Sequence, residues 1–407
     1  MAAATASTSR ASACGFTHAV DTPGAVVLGG DYQGLGIVRS LGARRIPICV
    51  VDDETSISSF SRYCKNAVRV GKLRDERQIV DQLLAIGTRL GLYGWVLYPT
   101  RDELVAAFSK SRAQLNTIFR VPTPEWETVK WAWDKRNTYR LAQELRIPTP
   151  LTYSPPEPEA LDDLSWPAPY VIKPAIKEHF IYATKAKAWR ADNRQDLVRL
   201  LKKGSELTGP GEMMVQELIP GGGSQQFSYC AFFKNGEAIG KMVARRTRQH
   251  PLEFGRASTF VETVDIPLLE ALSERFLRAI DYYGLVELEY KLDPRDNQFK
   301  LLDVNARTWG YHALGAKSGV DFSYLLYADQ AGIPCERCES VSGLAWVRIL
   351  TDFPTAMLEL LHGRLDLRGY FRTLRSCNLD AVFSTRDPFP GLAELFLVPY
   401  LAMKRGF

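Results

Sequence analysis

The chain has 407 residues, of which 46% are hydrophobic and 24% charged. That is ordinary for a folded globular protein and excludes a wholly disordered chain, a collagen or a coiled-coil rod. The length implies two to three domains at about 150 residues each, and a formal net charge of +5 is too dilute to imply nucleic-acid binding.

The opening MAAATASTSRASACGF is small and polar. It lacks the apolar core of a secretory signal and reads as a flexible leader over residues 1–20. GAVVLGG then predicts a short buried strand, DYQGLGIVRSLGARR a helix with glycines at its start, and IPICVVDD a second strand ending in acids. This is a βαβ unit, so a parallel sheet is expected. GWVLYPT at 94–100 continues the sheet and RDELVAAFSKSRAQL follows as a helix. The glycines Gly29, Gly30, Gly34 and Gly36 do not match GxGxxG, and a tight strand-to-helix turn explains them. Proline clusters at 121–126 and 147–160 mark joints between subdomains, and WETVKWAWDKRNTYRLAQELRI between them reads as one helix. From about 167 the texture changes to α+β. APYVIKPA, EMMVQELIP, QFSYCAFFKNGEAIGKMVARRT and GLVELEYKLDPRDNQFKLLDVNAR are strand-like, with hairpin turns at KNGE and DPRDNQ. RQDLVRLLKKG and IPLLEALSERFLRAIDYYG are helical. The last stretch, LAELFLVPYLAMKRGF, is expected to be a core helix of the final segment rather than a membrane anchor.

No run of about 18 apolar residues occurs, so no membrane span is expected. Of the seven cysteines only Cys335 and Cys338 form a CxxC, with no second pair or histidines nearby, which favours ordinary reduced thiols and a cytoplasmic protein. No P-loop, HExxH or Ser/His/Asp order is present.

The strongest chemical constellation is the last hairpin. Residues i and i+2 of a strand share a face. Glu287, Glu289 and Lys291 therefore line one face of the first strand, and Asp303, Asn305 and Arg307 one face of the second, with Val286, Leu288, Tyr290, Leu302 and Val304 opposite. Two carboxylates and an amide are hard oxygen ligands suited to Mg²⁺ shared with phosphates, and an adjacent arginine suits phosphoryl charge. A solvated face with cross-strand ion pairs is the bland alternative. Lys173 at the end of PYVIKPA is placed to meet a phosphate. Lys135 opens a helix, where a cation opposes the dipole and hints at an anionic partner. Gln216, Glu217 and Ile219 precede three glycines, where free backbone at a strand end can read a purine edge. Arg245, Arg246, Arg248 and Arg256 form a basic cluster able to grip phosphate or carboxylate, or else a surface patch. Arg101, Asp102 and Glu103 sit at the end of a parallel strand, where α/β sheets bind ligands, and equally read as a helix start.

In chain order these elements resemble the ATP-grasp superfamily, in the carboxylate–amine ligase branch that includes D-aspartate ligase and the carbamoyl-phosphate synthetase large subunit. The resemblance covers about residues 21–340. It implies α/β plus α+β architecture: a Rossmann-like domain over 21–125, a two-lobed ATP-grasp fold over 126–340 with a lid lobe at about 165–220, and a C-terminal extension over 341–407. It further implies ATP with Mg²⁺ or Mn²⁺, small carboxylate and amine substrates, no nucleic acid, and a homo-oligomer. Carried over by position, Lys135 and Lys173 resemble the two nucleotide-phosphate lysines, and Lys187 in the lid is the lysine expected to replace a backbone amide on phosphate. Gln216 and Glu217 resemble the pair beside the adenine, and Ile219 the residue whose backbone faces its ring. Glu289, Asp303 and Asn305 resemble the metal ligands. Arg307 resembles the arginine that stabilises the transferred phosphoryl group, with Lys173 and Arg256 beside it in catalytic roles. The family pattern Glu-x-Asn-Pro-Arg is here Asp303-Val304-Asn305-Ala306-Arg307, whose shorter carboxylate shifts a metal by about a bond length. The usual glycine-rich lid is replaced by AIKEHFIYATKAKAW, whose Lys177, Lys185 and Lys187 stand in for backbone amides. The ribose position falls at Gln226. The implied activity is ATP-dependent carboxylate–amine ligation. The alternatives are a nucleotide-binding regulatory or scaffold protein on the same fold, and a nicotinamide-dependent oxidoreductase using residues 24–100.

Overall fold

The computed structural model describes residues 23–405, so the expected leader lies outside the described residues. The first sheet comprises β1 (Ala25–Leu28), β2 (Ile48–Asp52), β3 (Asn66–Arg69) and β4 (Val96–Pro99), in the order β3-β2-β1-β4. All pairings are parallel, as the βαβ pattern predicts. Helices α1 (Tyr32–Gly42), α2 (Glu76–Leu90), α3 (Asp102–Lys110) and α4 (Arg112–Leu115) accompany it. Gly29 has φ +88, and a Cβ there would meet Thr100 Oγ1 at 2.2 Å, so the tight turn requires glycine. The next amide, Gly30 N–H, donates to Asp52 Oδ2 at 2.6 Å, and Arg101 bridges Asp52 and Asp53 at 2.8 Å each. A carboxylate thus takes the amide that a dinucleotide-binding turn would offer a pyrophosphate.

The single helix expected over the Trp-rich segment is two helices, α5 (Trp126–Trp133) and α6 (Lys135–Glu144). Asp134 is extended between them, and its carboxylate caps α6 by accepting from Arg136 N–H. Lys135 therefore begins a helix of its own.

A second sheet contains β5 (Thr152–Tyr153), β6 (Tyr170–Pro174), β7 (Trp189–Ala191) and β8 (Met213–Glu217), ordered β5-β8-β6-β7 and antiparallel. With α7 (Lys177–Thr184) and α8 (Arg194–Thr208) it has its own core of Leu161, Ile172, Phe180, Leu197 and Val215. The third and largest sheet holds β9 (Gln226–Lys234), β10 (Glu237–His250), β11 (Ala257–Val264), β12 (Gly284–Asp293) and β13 (Gln298–Asn305), with α9 (Pro267–Ala279) packed on it. The KNGE turn joins β9 to β10 with Asn235 and Gly236 both at positive φ, the twist that suits a two-residue hairpin.

After α10 (Ala313–Lys317), α11 (Phe322–Ala331) and β14 (Cys338–Glu339), the C-terminal segment is built into this sheet rather than appended to it. β15 (Ala345–Val347) pairs with β11. Then come α12 (Ile349–Leu361), α13 (Leu367–Ser376) and β16 (Cys377–Asp380), the last pairing with β15. The final helix, α14 (Phe389–Arg405), is not the core helix expected. Glu394 is buried against Arg348 at 2.9 Å, but Phe389, Leu392, Leu395 and Phe396 face solvent. Among the described residues no helix is long and apolar enough to cross a membrane, and the cysteines are free thiols.

Candidate active site

The expected hairpin forms in the expected register: Glu287 lies opposite Asn305 and Glu289 opposite Asp303. Beyond that pair the ladder slips, with Tyr290 opposite Leu301. The irregularity reverses the alternation. Leu301 is buried in the core, and Leu302, which simple alternation puts on the core side, lines a cavity of about 730 Å³ instead. That volume is in the range of small-molecule sites.

The cavity lies between the second and third sheets. Its lining includes the apolar Val171, Leu218, Ile219 and Leu302 and the charged Lys135, Lys173, Lys187, Glu289 and Asp303. The structure therefore brings together residues from six separate segments. Lys135 Nζ bonds Asp303 Oδ1. Four residues further along α6, on the same helix face, Tyr139 Oη donates to the Leu302 carbonyl at 2.7 Å and accepts from Lys173 Nζ. Sequence reading missed Tyr139, although its spacing from Lys135 was the available signal. Glu289 accepts from Asn305 Nδ2 at 2.9 Å and pairs with Arg246 at 3.2 Å. Arg246 also reaches Gln226 Oε1 at 2.9 Å.

The environment sets the charges. Burial first, then Lys135, lowers Lys173 to a pKa of about 7. Burial acts to raise Glu289, but Arg246 and then Lys187 outweigh it and hold the carboxyl at about 2. Asp303 is likewise held below the ordinary carboxylate range, by Lys135 and Lys177 against its burial. Burial lowers Lys187, opposed by Glu289.

Asn305 is held from both sides. Its Nδ2 also donates to Glu287 Oε2 at 3.2 Å, and its Oδ1 accepts from Lys177 Nζ at 3.1 Å. Glu287 is in turn fixed by the Tyr311 hydroxyl at 2.6 Å. Among the described residues no three His, Cys, Asp or Glu side chains form a metal cage. The donor set is two carboxylates and an amide, which suits an ion that keeps most of its ligands from water and phosphate.

Arg307 lies just beyond β13 and bonds Asp102 Oδ1 at 3.0 Å, while Lys177 pairs with Asp102 Oδ2 at 2.8 Å. Asp102, at the start of α3, is thus the first sheet's contact with the site. Its neighbour Arg101 is committed to Asp52 and Asp53, and Glu103 is buried. The other named residues divide. Gln216 donates from Nε2 to Thr152 Oγ1 at 2.7 Å. Glu217 lines the cavity, but its carboxylate is taken by Leu151 N–H, Arg295 and Lys300. The carbonyls of Ile219 and Gly221 accept from Lys291 at 2.9 Å each. Arg256, Asn305 and Arg307 are not among the residues lining the cavity; Asn305 reaches it through its bond to Glu289, and Arg307 lies behind Asn305. Of the basic cluster it is Arg246 that faces the carboxylates, because β10 is irregular between Arg246 and Arg248 and again after it. The glycine-poor segment after β6 is helix α7.

Lys173 supplies a pH test. A lysine with a lowered pKa is largely neutral at pH 8, and an adjacent phosphate restores its charge. If Lys173 meets a nucleotide phosphate, as the resemblance implies, binding takes up a proton at pH 8 and much less at pH 6. Calorimetry of ADP·Mg²⁺ in buffers of different ionisation enthalpy measures this, and a Lys173→Met protein should lose the difference.

No family model matches the chain. The D-aspartate ligase of Enterococcus faecium (strain Aus0004) is 22% identical over 297 residues, covering 69% of this chain and 70% of the ligase. A biotin carboxylase from Campylobacter jejuni, solved as a β,γ-ATP complex, aligns with TM-score 0.61 and 15% identity over 76% of this chain and 71% of its own. An L-amino acid ligase from Bacillus licheniformis aligns with TM-score 0.59 and 15% identity over 77% and 75%. This chain shares the fold of these solved structures, and the match to D-aspartate ligase agrees with its resemblance to ATP-grasp carboxylate–amine ligases.

Proposed function

We propose that the protein is an ATP- and Mg²⁺-dependent ligase that activates a carboxylate as an acyl phosphate and couples it to an amine. The observation that carries this reading is the cross-strand pair Glu289–Asp303 sharing one cavity with Lys135, Lys173 and Lys187 and with the apolar Val171, Ile219 and Leu302. Such a lining offers cations to a triphosphate and apolar side chains to a base.

In this reading Val171, Ile219 and Leu302 sandwich the adenine, Gln216 and the backbone near Glu217 meet its edge, and Gln226 meets the ribose. Lys135, Lys173 and Lys187 hold the phosphates. Glu289, Asp303 and the Asn305 amide oxygen would hold Mg²⁺ or Mn²⁺, which when bound neutralises phosphate charge. A donor carboxylate oxygen attacks the γ-phosphorus and the bond to the β–γ bridging oxygen breaks, releasing ADP. The amine nitrogen then attacks the acyl carbon, the carbon–oxygen bond breaks and inorganic phosphate leaves, while the nitrogen's proton passes to solvent. Lys173 and Arg307 stabilise the moving phosphoryl charge. Of the basic cluster Arg245, Arg246, Arg248 and Arg256, expected to grip the donor carboxylate, Arg246 is the member that lines the cavity. The small sheet with α7 excludes water that would hydrolyse the acyl phosphate.

The test is an ADP- and phosphate-release screen over D- and L-amino acids and small carboxylates, with mass spectrometry of the products. Release of ADP and phosphate in equal amounts with a new amide supports the reading. Tight ATP binding with no release across the screen favours the regulatory alternative, to which the helix in place of a glycine-rich lid lends its support.

A further inference from the structure

The turn between α12 and α13, residues 362–366, comes back to the cavity. Arg364 lines its wall together with Arg190, Gln249 and Phe254. This places a side chain from the C-terminal segment in the site described above.

Arg248 fixes the position of that turn. It donates to Asp352 of α12 at 2.8 and 2.7 Å, and to Thr373 Oγ1 of α13 at 3.1 Å. Its guanidinium also lies over the rings of Phe260 and of Tyr370 in α13. Both helices flanking the turn are thus tied to β10 two residues from Arg246, which faces Glu289. Arg364 itself is exposed, so this anchoring fixes the turn that carries it.

Most cations lining the cavity are already engaged; among the described residues the exceptions are Lys187 and Arg364. Lys135 is engaged by Asp303, Lys173 by Tyr139, Arg246 by Glu289, and Lys291 by two carbonyls. Among the described residues, no hydrogen bond or ion pair is found for the Arg364 guanidinium, and Glu359 feels its charge only at longer range. A guanidinium with free donors on a cavity wall matches a planar or tetrahedral oxyanion.

We propose that Arg364 is an anion-binding residue of this site, receiving an oxyanion of the bound ligand from either the nucleotide polyphosphate or the carboxylate substrate. The C-terminal segment is then part of the binding site and not only a support for the sheet. This rests on the ligase reading above.

The test compares parent, Arg364→Ala and Arg364→Lys proteins. Calorimetry with ADP·Mg²⁺ and with adenosine reads the nucleotide arm, and steady-state kinetics with the carboxylate found in the release screen reads the other. One lost charge-assisted contact is worth about tenfold in affinity. If Arg364 holds phosphate, Arg364→Ala weakens ADP·Mg²⁺ about tenfold and leaves adenosine unchanged. If it holds the substrate, ADP binding is unchanged and the carboxylate KM rises about tenfold with kcat within twofold. In either case Arg364→Lys is intermediate and the thermal midpoint does not move. A parent protein that binds ADP·Mg²⁺ and turns over, with an Arg364→Ala variant matching it in both Kd and KM, overturns the Arg364 assignment alone. A parent that neither binds ADP·Mg²⁺ nor releases it overturns the ligase reading and this assignment together.

Discussion

A Lys173→Ala protein is expected to fold as the parent does and to form ADP about 10²–10³-fold more slowly, the typical cost of one lost donor to developing charge. Folding is spared because Lys173 bonds only the Tyr139 hydroxyl among the described residues, and that hydroxyl keeps its bond to the Leu302 carbonyl. The lowered pKa of Lys173 also means that the folded state gains from its removal at low pH. The native group is neutral above about 7, whereas an unfolded lysine is charged up to about 10.4. Native stability from this group therefore rises with pH between those values and is lowest below 7, where the buried ammonium must be charged. Circular dichroism melts and single-turnover ADP formation, taken together, check both halves. Asp303→Ala should lose as much activity, but also stability, because Lys135 would be left buried without its counter-charge. A Lys173→Ala protein that forms ADP at the parent rate removes Lys173 from the phosphoryl-transfer machinery.

The largest effect on stability is expected at Arg248–Asp352. Their side chains are 2% and 0% exposed, and the pair is bidentate. Breaking such a pair from one side costs about 3–5 kcal/mol, because the remaining charge stays buried and alone. Asp352→Ala should therefore lower the urea midpoint sharply, with the slope unchanged if unfolding stays two-state. The double replacement Arg248→Met with Asp352→Leu should recover most of the loss, since two apolar groups need no partner. Recovery should be incomplete, because the Thr373 bond and the ring contacts are also lost. If Asp352→Ala lowers the unfolding free energy by less than about 1 kcal/mol, the anchoring role assigned to the pair is wrong.

The sequence was most informative where periodicity is strict. Alternation placed Glu289 and Asp303 on one face of a hairpin, and the turn DPRDNQ brought the two strands together. The same rule failed at the next residue, because a ladder irregularity leaves no mark on composition, and Leu302 moved from core to cavity. The break at Asp134 was visible in principle, as an aspartate of the type that caps helices. It was hidden by aromatic residues whose spacing continues across it. Arg246 could not be told from Arg245, Arg248 and Arg256 within one basic run. Which of them faces the carboxylates depends on where β10 slips relative to β11. Asp102 was singled out from its place at a strand end, but its partners Arg307 and Lys177 lie 205 and 75 positions along the chain, and only the fold could pair them. The C-terminal helices carry no local pattern that announces contact with the cavity. Arg364 arrives there through a buried arginine more than a hundred residues earlier.

The small antiparallel sheet is held to the large one at separated places. Glu217 is clamped by Arg295 and Lys300 from the β12–β13 hairpin, and Lys291 grips the carbonyls just after β8. At the other end of β13, Lys177 of α7 bonds Asn305 and pairs with Asp102. The two lobes therefore cannot part at α7 unless Lys177 gives up both partners, so admission of a ligand on that side is coupled to the same lysine that steadies Asn305.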